Sequence, residues 1–104
     1  MMKGAKAMAE WTSDTTQTAL EMLKVDIGIM NATAYDTRLT QYIETAKSAI
    51  IREGASLSDA VEDVQLVAMY AGWLWRKRDT GDGMPRNLRW MLNNRIFSEK
   101  MREN

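Results

Sequence analysis

The sequence predicts an all-α fold, a small bundle of about four helices with short loops and a loose N-terminal arm, and three observations predict it. Pro85 is the only proline among 104 residues, so the residue that most reliably breaks a helix interior is nearly absent. Ala, Leu, Met, Glu, Lys and Arg, the good helix formers, dominate, and no stretch alternates apolar and polar side chains as a half-buried strand does. Apolar residues recur instead at steps of three and four, the period of one helix face. A chain of this length forms one domain. Its 45% hydrophobic and 27% charged content is ordinary for a globular protein, which argues against wholesale disorder.

Residues 1–15, polar and alanine-rich with weak periodicity, read as a flexible arm or frayed helix, and residues 16–104 as the single helical domain. The first helix is predicted from about Thr16 to Asp26, capped by Asp14 or Thr15, with Leu20, Leu23 and Ile27 as its apolar stripe. Gly28 ends it, and Ile29 and Met30 tuck under the bundle. In the second helix Thr33 and Asp36 form a T-x-x-D capping box, and Tyr35, Leu39, Tyr42, Ile43, Ala46 and Ile50 make one buried face. Gly54 closes it. The third helix starts at Ser56 or Ser58, with Asp59, Glu62 and Asp63 set against the positive end of its dipole and Arg76, Lys77 and Arg78 against the negative end.

The buried face of that third helix is Leu57, Val61, Val64, Val67, Ala68, Ala71, Leu74 and Trp75. Leu66, Met69, Tyr70 and Trp73 lie off it, which predicts a central helix or one with a second, intersubunit face. Trp73 and Trp75 alone are about 160° apart around the axis. Gly72 costs about 1 kcal/mol against alanine in a helix interior, so a close helix crossing is expected there. Asp79-Thr80-Gly81-Asp82-Gly83-Met84 is a turn, and Pro85 opens the fourth helix. That helix sets Leu88, Met91, Leu92 and Ile96 on one side and Arg86, Arg89, Asn93, Asn94, Arg95 and Lys100 around much of the rest.

The chain has no cysteine and no histidine. That removes disulfides, thiolate metal sites, the cysteine nucleophile and the commonest general base, so no enzymatic activity is expected. The remaining constellations fail on spacing. Counting from Asp79 as the first ligand of a calcium loop puts Met84 where the invariant glycine belongs and Trp90 where the bidentate glutamate belongs. Gly81-Asp82-Gly83 follows a helix rather than a strand and lacks the rest of a dinucleotide fingerprint. Lys47-Ser48 is merely adjacent and expected to face solvent. No cofactor, metal or small-molecule substrate is expected. No apolar run is long enough to span a membrane, and residues 1–10 lack the hydrophobic segment of a secretory signal.

Charge is balanced overall but divided. Residues 1–75 carry six basic and ten acidic side chains, and residues 76–104 carry eight basic and four acidic. Such a division suits a polyanion partner, head-to-tail contact between copies, or nothing more than a solvated helix end. Tryptophan, tyrosine and arginine are enriched in interface anchors. The candidate subunit or partner interface is therefore Tyr70, Trp73, Arg76, Lys77, Arg78, Arg86, Arg89 and Trp90, with Asp36, Asp59, Glu62 and Asp63 as its acidic counterpart on a neighbouring copy.

The run Val61-Glu62-Asp63-Val64-Gln65-Leu66-Val67-Ala68-Met69-Tyr70-Ala71-Gly72-Trp73-Leu74-Trp75-Arg76-Lys77-Arg78 resembles the penultimate helix of the small head–tail connector (head-completion, adaptor) proteins of tailed bacteriophages, an apolar helix with a basic tip. The segment from Gly81 to Arg95 resembles their closing helix, of the form P-x-x-L-R-x-x-L-N. Leu23-Lys24-Val25-Asp26-Ile27-Gly28 followed by Asp36-Thr37-Arg38-Leu39-Thr40-Gln41-Tyr42-Ile43 resembles their opening. The likeness spans about Thr18 to Arg102 and rests on the order and spacing of helices rather than on one diagnostic motif. It implies a virion protein assembled in the bacterial host cytoplasm as a ring, typically twelvefold. Such a ring sits between the portal and a tail-side connector protein, with DNA passing through its channel without sequence specificity. The competing expectation is a small helical DNA-binding protein, a terminase small subunit or helix–turn–helix regulator. It would use the third and fourth helices and the cations Arg86, Arg89, Arg95 and Lys100.

Overall fold

The computed structural model describes residues 10–103, an all-α bundle of four helices: α1 (Ser13–Ile27), α2 (Asp36–Glu53), α3 (Val61–Thr80) and α4 (Arg86–Glu103). The arm expected over residues 1–15 lies mostly outside this range, but its last residues are structured. Thr12 caps α1 in a T-x-x-T box: its hydroxyl accepts from the Thr15 N–H and its own N–H donates to the Thr15 hydroxyl. Just before the cap, the Trp11 indole donates to the Thr16 hydroxyl at 2.7 Å. The half-buried ring packs on the core, with the Lys47 ammonium 4.9 Å from its centre. Trp11 thus acts as a staple across the helix start. This is why α1 begins three residues before the expected Thr16, and why Lys47 is held rather than solvated.

α1 ends as expected. Gly28 takes the left-handed conformation at φ 81°, and the Ile29 N–H reaches back to the Lys24 carbonyl. Ile29 is half-buried, whereas Met30 stands exposed instead of tucking under the bundle. The capping box expected for α2 does not form. Tyr35 occupies the cap without a side-chain bond, because the Asp36 carboxylate turns to Lys24 of α1, Oδ1 lying 2.8 Å from Nζ in a Coulombic contact rather than a directed hydrogen bond. Leu39, Ile43, Ala46 and Ile50 form the buried face of α2. Tyr35, expected on that face, is largely exposed and meets Trp75 edge-on, as does Tyr42.

α3 is the central element. It packs extensively against α2 and α1 and more sparsely against α4. It starts at Val61 rather than at Ser56 or Ser58: its N-cap, Ala60, has no side-chain bond, and Ser58 lies before the helix with its hydroxyl and N–H both donating to Asp63 at 2.9 Å. Val61 itself is exposed, and Leu57 packs on the core from the connector. At the other end Asp79 and Thr80 continue the helix until Gly81, at φ 71°, caps it. The core joins Leu20 and Leu23 of α1, the α2 face, Val64, Leu66, Val67, Tyr70 and Ala71 of α3, and Leu88 and Leu92 of α4. Among the described residues no helix is long and apolar enough to cross a membrane.

Candidate interaction surface

The second apolar face of α3 has an occupant within the chain. Leu66 and Tyr70, off the main stripe in sequence, are buried in the cluster that also holds Leu88 and Leu92 of α4. Tyr70 is 8% exposed and therefore leaves the candidate interface for the core. Burial, and after it the nearby Glu53 carboxylate, pushes its phenol pKa up. Trp73 sits at the edge of the same cluster, its ring edge-on to Tyr70, its indole donating to the Asp82 carbonyl at 3.1 Å and the Lys77 ammonium lying 4.7 Å over its face. Gly72 faces Leu23 and Asp26 of α1. An added methyl there would meet them at ordinary van der Waals distance, 3.6 and 3.8 Å, so no unusually close crossing requires the glycine.

Charged candidates divide in the same way. Asp63 is 2% exposed. It receives Arg95 Nε at 2.7 Å on one carboxylate oxygen while Ser58 donates twice to the other. Arg95 also donates to Glu99 at 2.9 Å and to the Ser56 carbonyl, and the Ser56 N–H donates to Glu99. The Asp63 hydrogen bond foremost raises the guanidinium pKa. The cluster ties the α2–α3 connector, the first turn of α3 and the middle of α4 together. Asp63 is therefore no counterpart for a neighbouring subunit, and Arg95 is not presented to DNA. Asp36 pairs with Lys24, and Asp59 and Glu62 are exposed around the start of α3.

Arg89 pairs with Glu53 of α2 at 3.0 Å. At the tip of α3, Arg76 faces Asp26 at 3.8 Å, while Arg78 lies over the Trp75 ring, 3.8 Å from its centre, and donates to the Trp75 carbonyl. Of the eight predicted interface residues, Tyr70 lies in the core and Arg89 pairs with Glu53; the other six separate into two places, Trp73, Arg76, Lys77 and Arg78 at the α3 tip, and Arg86 and Trp90 on the outside of α4.

On the outside of α4 the predicted Trp90 is joined by Phe97 and Met101, which residue typing alone missed. Trp90, Phe97 and Met101 are 66, 64 and 61% exposed. At about 100° per residue the three fall within about 40° of one another, opposite the buried Leu88 and Leu92. A spacing of seven and then four residues, set against the core pair, was the available signal. Arg86 and Lys100 are exposed and run along one edge of the stripe. Three such side chains expose on the order of 400 Å², the size of the largest apolar patch on an ordinary monomer, and a patch of that size is often functional. Among the described residues no group of three or more acidic side chains is placed to hold a metal ion. No protein-family model, curated protein or solved structure matches this chain.

Proposed function

We propose that this chain is a non-enzymatic structural subunit of a phage or prophage head–tail connector ring, one that docks on a portal and extends the DNA channel during head completion. The observation that carries the assembly part is the outward face of α4, where Trp90, Phe97 and Met101 stand in solvent beside Arg86 and Lys100. Aromatic and methionine side chains with arginine at their rim are the composition of a protein interface. The connector part comes from the resemblance of the α3 and α4 segments to that family, and the order of four helices with short connections is in keeping with it. The test is to mix the purified chain with assembled portal particles and image them. The expected result is an added ring of density at the portal, of the family's usual twelvefold order. Portal particles that remain bare under all ionic conditions would end the reading.

A second reading, a small DNA-binding protein, draws on Arg86 and Lys100, exposed along one side of α4 roughly 21 Å apart. It is weakened because Arg89 and Arg95, two of its four cations, are engaged by Glu53, Asp63 and Glu99. Duplex binding that falls steeply with salt, through counterion release, would favour it.

A further inference from the structure

We infer that the outward face of α4 docks on the outward face of α1 of a second copy of this chain, head to tail; this rests on the connector reading and names its subunit contact. The acceptor is Asp14, Thr18, Glu21 and Val25, spaced four, three and four residues apart. They lie within about 60° on the side of α1 opposite the buried Leu23. All four are exposed, Val25 to 62%. An apolar centre with a cationic edge on α4 therefore meets small and apolar side chains with an anionic edge on α1. The basic second part of the chain is complementary to the acidic first part in the same sense.

The bundle places these two faces on opposite sides. Gly72 of α3 faces Leu23 and Asp26 of α1, and Asp63 of α3 holds Arg95 of α4. Nine residues separate the two positions, about 180° around the α3 axis. α1 and α4 thus flank α3 like two shoulders, and each copy carries both halves of the contact pointing away from each other. Such a contact is heterologous: it leaves one half open at each end and propagates until rotation closes a ring. The isologous alternatives are less well matched. An antiparallel pair of α4 helices sets Arg86 against Lys100 of the other copy, and a parallel pair aligns the two helix dipoles.

The chain has no cysteine, so a single introduced thiol reports one neighbour. Thr18→Cys and Asn94→Cys, both exposed and within the two faces, are made separately and in one chain. Circular dichroism confirms the fold before oxidation. Mixed single variants are expected to give the Thr18→Cys/Asn94→Cys cross-link at least about tenfold over either homodimer, and the double variant a ladder of multimers. Replacing Asp14 and Glu21 by Lys, or Arg86 and Lys100 by Glu, should each lower the yield about tenfold. Both exchanges in one chain should restore it, which a merely structural defect would not allow. A dominant Asn94→Cys homodimer, or no cross-link at any chain concentration, overturns the contact. Portal-bound rings that lack this cross-link remove the contact and keep the connector reading, whereas a ladder from a chain that never binds portal keeps the contact and removes that reading.

Discussion

Asp63 and Arg95 matter to this fold because both are taken out of water together: the side chains are 3 and 13% exposed. A buried ion pair is tolerable only when its remaining lone pairs and protons are also satisfied. Here Ser58 supplies two donors to the carboxylate, and Glu99 and the Ser56 carbonyl accept from the guanidinium. Asp63→Ala leaves a cation facing a cavity and two donors without an acceptor. It is expected to lower stability by about 3 kcal/mol in urea denaturation. Arg76→Ala, which removes a half-exposed pair at 3.8 Å, should cost less than about 1 kcal/mol. Equal losses would mean that burial does not set the difference. Tyr70 makes a second residue-level expectation. Its pKa is raised in the fold, so the folded state holds the phenol proton more tightly than the unfolded chain does. Its contribution to stability is fully present below the ordinary tyrosine value near 10 and is lost as pH rises through the raised value. Denaturation midpoints should therefore fall above about pH 10, and Tyr70→Phe should remove part of that fall.

At the scale of elements, two glycines with the same composition have opposite roles. Gly81 caps α3 at φ 71°, where a side chain is strained, and Gly81→Ala is expected to destabilise by about 1 kcal/mol. Gly72 has helical backbone and room for a methyl, so Gly72→Ala should stabilise by up to about 1 kcal/mol, read from the thermal midpoint. A large loss at Gly72 would show that the methyl is not accommodated against α1 at these ordinary contact distances. The sequence made the four helices legible because Leu39, Ile43, Ala46 and Ile50, or Val64, Val67 and Ala71, repeat at a helix period that nothing else explains. It did not reveal helix starts where a side chain answers to a distant partner. Thr33 and Asp36 have the form of a cap, yet Asp36 goes to Lys24; Asp63 has the form of a dipole acid, yet its partner lies 32 residues away on α4. The candidate site failed similarly at Tyr70, whose excess of apolar neighbours on α3 is covered by α4 rather than by another chain. Trp90 was legible as an exposed aromatic, but its stripe emerges only once Leu88 and Leu92 fix which side of α4 is inward.

For the whole molecule, the uneven packing around α3 predicts uneven stability. α1 and α2 share a broad apolar interface with α3, whereas α4 is held by Leu88, Leu92 and the Asp63–Arg95–Glu99 cluster. Units held by fewer apolar contacts open at lower free energy than the global transition. In native-state hydrogen exchange the α4 amides are therefore expected to exchange together, at an opening free energy at least about 1–2 kcal/mol below that of the α3 core. Arg95→Ala should lower that of α4 further while moving the slowest α2 and α3 amides less, since only α4 loses an anchor. Protection in α4 equal to that in α3 would contradict this division. If α4 is the docking helix, the same property couples stability to assembly. A neighbour that binds the closed position of α4 adds its binding free energy to that closure, so α4 protection should rise with chain concentration before that of α2 does.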